Sequence, residues 1–243
     1  LLESRGLGDV YKRQILKFES LVFSPLFCLL LILSIGVSHG SLDHIKGKKL
    51  LKIFEIKNIY IFYLLYIFIA STVIVLWTIM PSVSLTIFLI VASFHFGKED
   101  TQFLIAENSY YNQLLFFLKG LLVILAPMFF HFEETISIFK LLLIDNESFY
   151  RTLDFIEMNN LILFGIILST LSSILLFTKE FELKKFTIFL DYFSILIINY
   201  YLSPLMAFTI YFCFLHSTRH GITLMHELDE NDLKNGLKIF IKK

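Results

Sequence analysis

The 243-residue chain has little charge, few prolines and almost no cysteine. Only 17% of its residues are charged, against about 25% in an average soluble protein. Basic and acidic residues both number 21, so the chain has no excess of positive charge with which to bind nucleic acid. Its two cysteines, Cys28 and Cys213, lie inside apolar segments and do not indicate a disulfide framework. A glycine-rich phosphate loop and a motif framing a nucleophilic serine or cysteine are also absent, which argues against nucleotide chemistry and nucleophilic hydrolysis.

Apolar residues, in contrast, are abundant and occur in long uninterrupted blocks. They make up 56% of the chain, and the mean hydropathy is +0.74. Several blocks reach the roughly 18–20 residues that a membrane-spanning helix needs, whereas barrel strands would alternate over about 10 residues. We therefore predict an all-α, polytopic integral-membrane helical bundle, which excludes soluble Rossmann, barrel and sandwich enzymes.

Seven apolar segments predict about seven transmembrane helices in one domain. Pro81 and Pro204 would open the third and seventh helices, which predicts two tight helical hairpins. The apolar stretch 135–144 is too short to span and is interpreted as an interfacial helix. The predicted spans are 18–38, 58–79, 82–97, 113–130, 160–178, 186–202 and 204–220.

The two ends of the chain differ from its middle. Residues 1–14 are polar and resemble translated sequencing-adapter read-through, and they lack the features of a signal peptide. We interpret them as a non-native extension, so that 15–243 forms a single transmembrane helical domain.

Lysine is concentrated in three of the predicted connections. The 46–57 segment holds five lysines, 179–185 holds three, and the tail after His220 holds four. The 131–159 connection holds two basic residues against six acidic ones. Because positively charged loops stay in the cytoplasm, this pattern predicts a multi-pass protein of the inner (plasma) membrane, with the lysine-rich segments on the cytoplasmic side.

Five of the seven histidines lie at the predicted cytoplasmic ends of three helices. Ionisable residues within a membrane are expensive and usually functional, so five at one depth favour a metal or haem site. His131 falls on the opposite face and His226 lies in the tail. The five clustered residues are His39, His44, His95, His216 and His220.

The spacing within this cluster favours chelation. His216 and His220 are four residues apart and share one face of a helix, so both can reach one ion. Imidazole ligands with open coordination positions suit redox-active iron or copper, or zinc.

Carboxylates accompany the histidines. Asp43 follows His39 by one turn and Glu99 follows His95 by one turn, so each could accept the ring N–H of its histidine; ordinary interfacial solvation explains them equally well. Asp191 lies inside the sixth span and is expected to face the same cluster. Lys119, at a similar depth, can extend outward to the membrane surface and is therefore assigned no role.

Three segments together resemble the Brp/Blh family of bacterial and archaeal integral-membrane β-carotene 15,15′-dioxygenases. They are GVSHGSLDH at 36–44, SFHFGKED at 93–100 and HSTRH at 216–220. The family typically shows PHG, then x-x-DH, then WHFG-x-x-D, then HSPRH. The departures at Ser38, Phe94 and Thr218 spare every histidine.

The resemblance implies an oxidoreductase that uses O2 to cleave the central 15,15′ double bond of β-carotene into two all-trans-retinal molecules, the chromophore of microbial rhodopsins. It implies an Fe(2+) centre held by His39, His95, His216 and His220, with His44 and Asp43 in the same motif. Glu99 and Asp191 are added as supporting residues from the spacing and depth described above, not from the resemblance. The resemblance also implies an apolar tunnel to the bilayer, and further helices beyond HSTRH that this chain would lack. Aromatic candidates for the tunnel are Phe94, Phe96, Tyr192, Tyr200 and Tyr211.

Three other readings remain open. Membrane di-iron desaturases and hydroxylases need several histidine boxes of the HxxxH and HxxHH kinds, and this chain has one HxxxH and no HxxHH. A bis-histidine haem protein for electron transfer would leave a fifth histidine unexplained. A transporter would favour midplane carboxylates, broken helices and internal repeats; the sequence shows no repeat, and its histidines lie at one end of the helices rather than at the midplane.

Overall fold

A computed structural model describes residues 25–40, 43–105, 109–142, 146–179, 181–229 and 232–242. Within these residues the regular structure is entirely helical, with no strand, which confirms the predicted all-α class. Residues 1–14, interpreted above as an extension, lie outside the described residues.

Twelve helices are described, and they follow one another along the chain with short connections. They are α1 Pro25–Gly40, α2 Asp43–Ile53, α3 Ile59–Ile79, α4 Pro81–Glu99, α5 Tyr110–Phe130, α6 Phe132–Leu141, α7 Glu147–Met158, α8 Leu161–Thr178, α9 Thr187–Tyr201, α10 Pro204–Ile210, α11 Ser217–Leu228 and α12 Leu233–Lys242. A 3₁₀ turn at Leu183–Phe186 precedes α9, and a π-helical turn at Tyr211–His216 joins α10 to α11 without a break. We call α10, this π-helical turn and α11 together the composite helix.

Four helices, α3, α4, α5 and α8, are long and apolar enough to cross a membrane. The predicted first, sixth and seventh spans are helical too, but within the described residues they are shorter or, in the composite helix, interrupted by the π-helical turn. The count of seven spans therefore stays a prediction. Both hairpins are confirmed, since α4 begins at Pro81 directly after α3, and α10 begins at Pro204 directly after α9.

The connections contain more helix than the sequence pattern indicated. The lysine-rich segment forms most of α2, and the acidic connection contains both α6 and α7. Asn146 begins α7 by accepting a hydrogen bond from the backbone N–H of Phe149, as a helix-capping residue does. The short helix expected near 135–144 is α6, which buries Phe132, Ile136 and Phe139 against the core.

Helix α5 is the centre of the bundle, with α4 packed on one side and α8 on the other. The contact with α4 is a backbone contact at two glycines. A Cβ atom added to Gly97 would lie 1.8 Å from the carbonyl oxygen of Phe116, and one added to Gly120 would lie 1.8 Å from that of Ser93. Small residues allow membrane helices to approach this closely, and here they fix the end of α4 that carries His95.

Helix α1 runs alongside the composite helix in the same direction. The Sγ of Cys28, near the start of α1, lies 3.9 Å from the Sδ of Met206, near the start of α10. Helix α1 also contacts the π-helical turn and α11, which only a parallel path allows. With a rise of about 1.5 Å per residue, the backbone of His39 therefore reaches the level of Ser217.

Candidate metal site

The π-helical turn brings two side chains of the composite helix onto one carboxylate. The backbone N–H of Ser217 donates to the carbonyl of Phe212, five residues back, so residues five apart lie on the same face of this turn. Tyr211 and His216 are such a pair. The Tyr211 hydroxyl donates to Oδ2 of Asp100 at 2.6 Å, and Nδ1 of His216 donates to Oδ1 at 2.9 Å. All three residues are buried, so the arrangement is shielded from water.

One turn later, a second histidine of the composite helix is held in the same way. Nδ1 of His220 donates to Oε2 of Glu99 at 3.2 Å. Glu99 and Asp100 are consecutive residues at the end of α4, so this end anchors both histidines of the HSTRH segment. The sequence had suggested His95, on the same helix, as the histidine that Glu99 supports.

His95 joins the cluster from α4. Its ring centroid lies 5.2 Å from that of His216, with the two rings at 70°. Phe96 packs edge-on against His216, with centroids 4.8 Å apart, and is itself buried. Three of the four predicted iron ligands, His95, His216 and His220, are therefore assembled at one end of the bundle.

The remaining predicted residues are described only by their backbone. His39 is the last residue but one of α1, which runs beside the composite helix, and Asp43 and His44 begin α2. The side chains of these three residues lie outside the described part of the structure. Among the side chains that are described, no group of three or more His, Cys, Asp or Glu residues is already arranged as a metal site.

Asp191 faces the composite helix from α9. Both of its carboxylate oxygens accept hydrogen bonds from the guanidinium of Arg219, in the two-point geometry that arginine and carboxylate prefer. Arg219 lies between His216 and His220 in the chain, so this pair ties the histidine-bearing turn to α9. Asp191 is only 4% exposed, and its charge is matched by a partner at bonding distance.

Three residues beyond the predicted set belong to this cluster: Asp100, Lys119 and Arg219. The prediction that Lys119 extends to the membrane surface is wrong, because Lys119 is only 5% exposed and lines a small internal cavity with Asp100 and Tyr211. The adjacent Gly120 packs against the backbone of α4, and Asp100, which lines the same cavity as Lys119, carries the charge opposite to that of a buried ammonium. Asp100 could have been found from the sequence, since it ends the WHFG-x-x-D-like motif.

The other two histidines lie away from the cluster. His131 follows α5, twelve residues or about 18 Å beyond Lys119 along that helix. Its Nε2 is hydrogen-bonded to the carbonyl oxygen of Asn199 at 2.8 Å. His226 is exposed in α11. Tyr200, one of the aromatic candidates for a tunnel, packs against Phe130 beside His131, so it is not near the cluster.

The donor set fits a metal bound by imidazoles. A histidine whose Nδ1–H donates to a carboxylate presents Nε2, in the orientation typical of metal-binding histidines. In His216 this Nε2 is buried at the cluster, and His220 is held in the same tautomer by Glu99. Such neutral nitrogen donors suit iron, copper or zinc.

Residues 30–243 match the family described as beta-carotene 15,15′-dioxygenase. A curated protein of that name from uncultured marine bacterium 66A03 is 27% identical over 194 residues, which cover 79% of this chain and 66% of the relative. The chain thus spans just under two thirds of the length of that relative. No solved structure is significantly similar to this chain. Since the family match extends over nearly all of the sequence, the chain belongs to the beta-carotene 15,15′-dioxygenase family.

Proposed function

We propose that this chain cleaves β-carotene at its central 15,15′ double bond, with O2 as the oxidant, to give two molecules of all-trans-retinal. The observation that carries the proposal is the convergence of His95, His216 and His220 at one end of an apolar helical bundle. The family match supports the substrate and the bond that is cleaved. Both oxygen atoms of O2 end in the two aldehyde groups, so the reaction needs no further reductant.

We propose His39, His95, His216 and His220 as the ligands of an Fe(2+) ion. The parallel path of α1 supports the inclusion of His39, because it brings the backbone of this residue to the level of the His216–His220 turn. His44 and Asp43, at the start of the following helix, are proposed to support the site from the same side.

The iron, when bound, would supply the activation of O2, and the protein would supply position and shielding. Asp100 holds His216 as the tautomer that carries its proton on Nδ1, while Glu99 does the same for His220. The Tyr211 hydroxyl donates a hydrogen bond to the second carboxylate oxygen of Asp100 and so fixes the orientation of the carboxylate plane. The ring of Phe96, packed against His216, keeps water from that side of the imidazole.

The apolar surface of the bundle suits a substrate that is itself dissolved in the bilayer. Helix α3 has no buried residue among those described and is apolar along its length, so it is proposed to face lipid. We place the protein in the inner membrane, as a multi-pass protein with its histidine cluster toward the cytoplasm, where it would release retinal for a rhodopsin.

The decisive experiment is expression in a bacterium engineered to accumulate β-carotene. The chain should bleach the orange pigment and produce retinal, as measured by chromatography of the extract. H95A should abolish retinal formation, while H131A, a histidine replacement outside the cluster, should retain it. A protein that inserts into the membrane but leaves the pigment unchanged would contradict the proposed activity, and a Soret band in the purified protein would favour the haem alternative over iron.

A further inference from the structure

A second feature of the molecule lies at the turn between α2 and α3, where no residue of the proposed metal site lines it. Here the structure contains an open cavity of about 700 Å³. Lys48, Lys52 and Lys57 line it together with a single acidic residue, Glu55. Its remaining lining residues are the apolar Leu51, Ile56 and Ile59. The cavity therefore combines an excess of positive charge with an apolar wall.

The shape of this cavity is fixed by the backbone. Helix α2 ends with the N–H of Ile56 donating to the carbonyl of Leu51 and that of Glu55 donating to Lys52, the pair of bonds that defines a Schellman motif. Glu55 takes the left-handed conformation that this motif requires, with φ of 56°. Gly47 lies against the ring of Phe62, where an added Cβ would come within 2.6 Å, so α2 is held close to the start of α3.

The cavity opens at the end of a helix that carries no buried residue. Helix α3 is 21 residues long, apolar, and without a buried side chain in the described structure. Beyond the cavity, Tyr60 and Leu64 are 70% and 68% exposed. The first backbone N–H groups of α3 also lie at this end, and they add to the positive potential of the lysines.

We propose that this cavity binds the phosphate headgroup of an anionic phospholipid, whose acyl chains lie along the exposed face of α3. The three lysines attract the phosphate, and the apolar wall and the lipid-facing helix accept the first part of the chains. Free phosphate shares the headgroup chemistry but has nothing to place on the apolar wall. The proposal is independent of the catalytic activity proposed above.

The test is a lipid titration of the purified chain in detergent, followed by native mass spectrometry. Phosphatidylglycerol should bind more tightly than phosphatidylcholine. Each lysine changed to Gln should weaken phosphatidylglycerol binding about fivefold, corresponding to about 1 kcal/mol per basic residue near an anionic surface. The triple variant K48Q/K52Q/K57Q should bind phosphatidylglycerol about 100-fold more weakly than the unmodified chain. K48R/K52R/K57R should retain the affinity because the positive charge is kept.

A matched control variant removes three positive charges from lysines that do not line the cavity. K140Q/K184Q/K234Q changes three lysines outside the cavity and should bind phosphatidylglycerol within about twofold of the unmodified chain. Equal losses in the control and the cavity variant, or unchanged binding in the cavity variant, would overturn the proposal. Displacement of the lipid by millimolar inorganic phosphate would assign the site to a soluble anion instead, and would equally overturn it.

Discussion

Replacing Asp100 with Asn tests the central arrangement of the histidine cluster with little change in shape. The carboxylate accepts from two buried donors, the Nδ1–H of His216 and the hydroxyl of Tyr211. An amide has one acceptor oxygen, so it can serve only one donor, and its NH2 group would face the other. A hydrogen bond to a charged group is worth about 1.5–3 kcal/mol, which corresponds to about a 10- to 100-fold change in an equilibrium constant.

We therefore expect D100N to weaken metal binding by about 10- to 100-fold, the range typical for groups that orient a metal-binding histidine. The measurement is titration of the purified, metal-free protein with Fe(2+) under anaerobic conditions, alongside retinal formation. Y211F removes one of the two donors but leaves the bond to His216, so it should weaken binding less than D100N. D154N, an exposed change in α7, should have no effect. Metal binding in D100N that equals that of the unmodified chain would refute the role assigned to Asp100.

Two further predictions concern the ligands and the helix crossing. H95A should lower both iron content and retinal formation to near background, whereas H131A should keep both; the reverse result, measured by metal analysis and chromatography, would place the site at the other end of the bundle. G120A should destabilise the protein by about 1–3 kcal/mol, because the added methyl group meets the backbone of α4. G221A, whose added methyl group meets nothing within 4 Å, is its control; equal thermal unfolding midpoints of the two variants would contradict the proposed backbone contact.

The sequence predicted the parts of this site that follow from position along a helix. Hydropathy blocks and Pro81 and Pro204 were sufficient to predict the long apolar helices and both hairpins, because chain length and proline geometry act locally. The sequence placed His95 near His216 and His220 because successive helices cross the membrane in alternating directions, which puts these three residues at the same end of the bundle. In each case the property depends on one helix or on the order of helices.

The remaining parts depend on which helices touch, and the hydropathy pattern does not contain that information. The π-helical turn changes which residues share a face, so the partnership of Tyr211 with His216 is not visible from α-helical spacing. Lys119 was expected to extend outward because long basic side chains usually do so near membrane surfaces. Lys119 is instead buried, next to the close contact between α4 and α5 at Gly120. This contact becomes visible only once the two helices are placed together.

The charged side chains around the histidines carry a net negative charge, which favours binding of a cation. Glu99, Asp100 and Asp191 contribute three carboxylates, against the guanidinium of Arg219 and the ammonium of Lys119. Histidines that are neutral at their ligating nitrogen add no charge, so the group carries one more negative charge than positive. This excess of negative charge attracts a divalent cation placed among the imidazoles, because opposite charges a few ångströms apart interact strongly where water is largely excluded. The carboxylates that orient the histidines therefore also favour a cation at the position where the ring nitrogens converge.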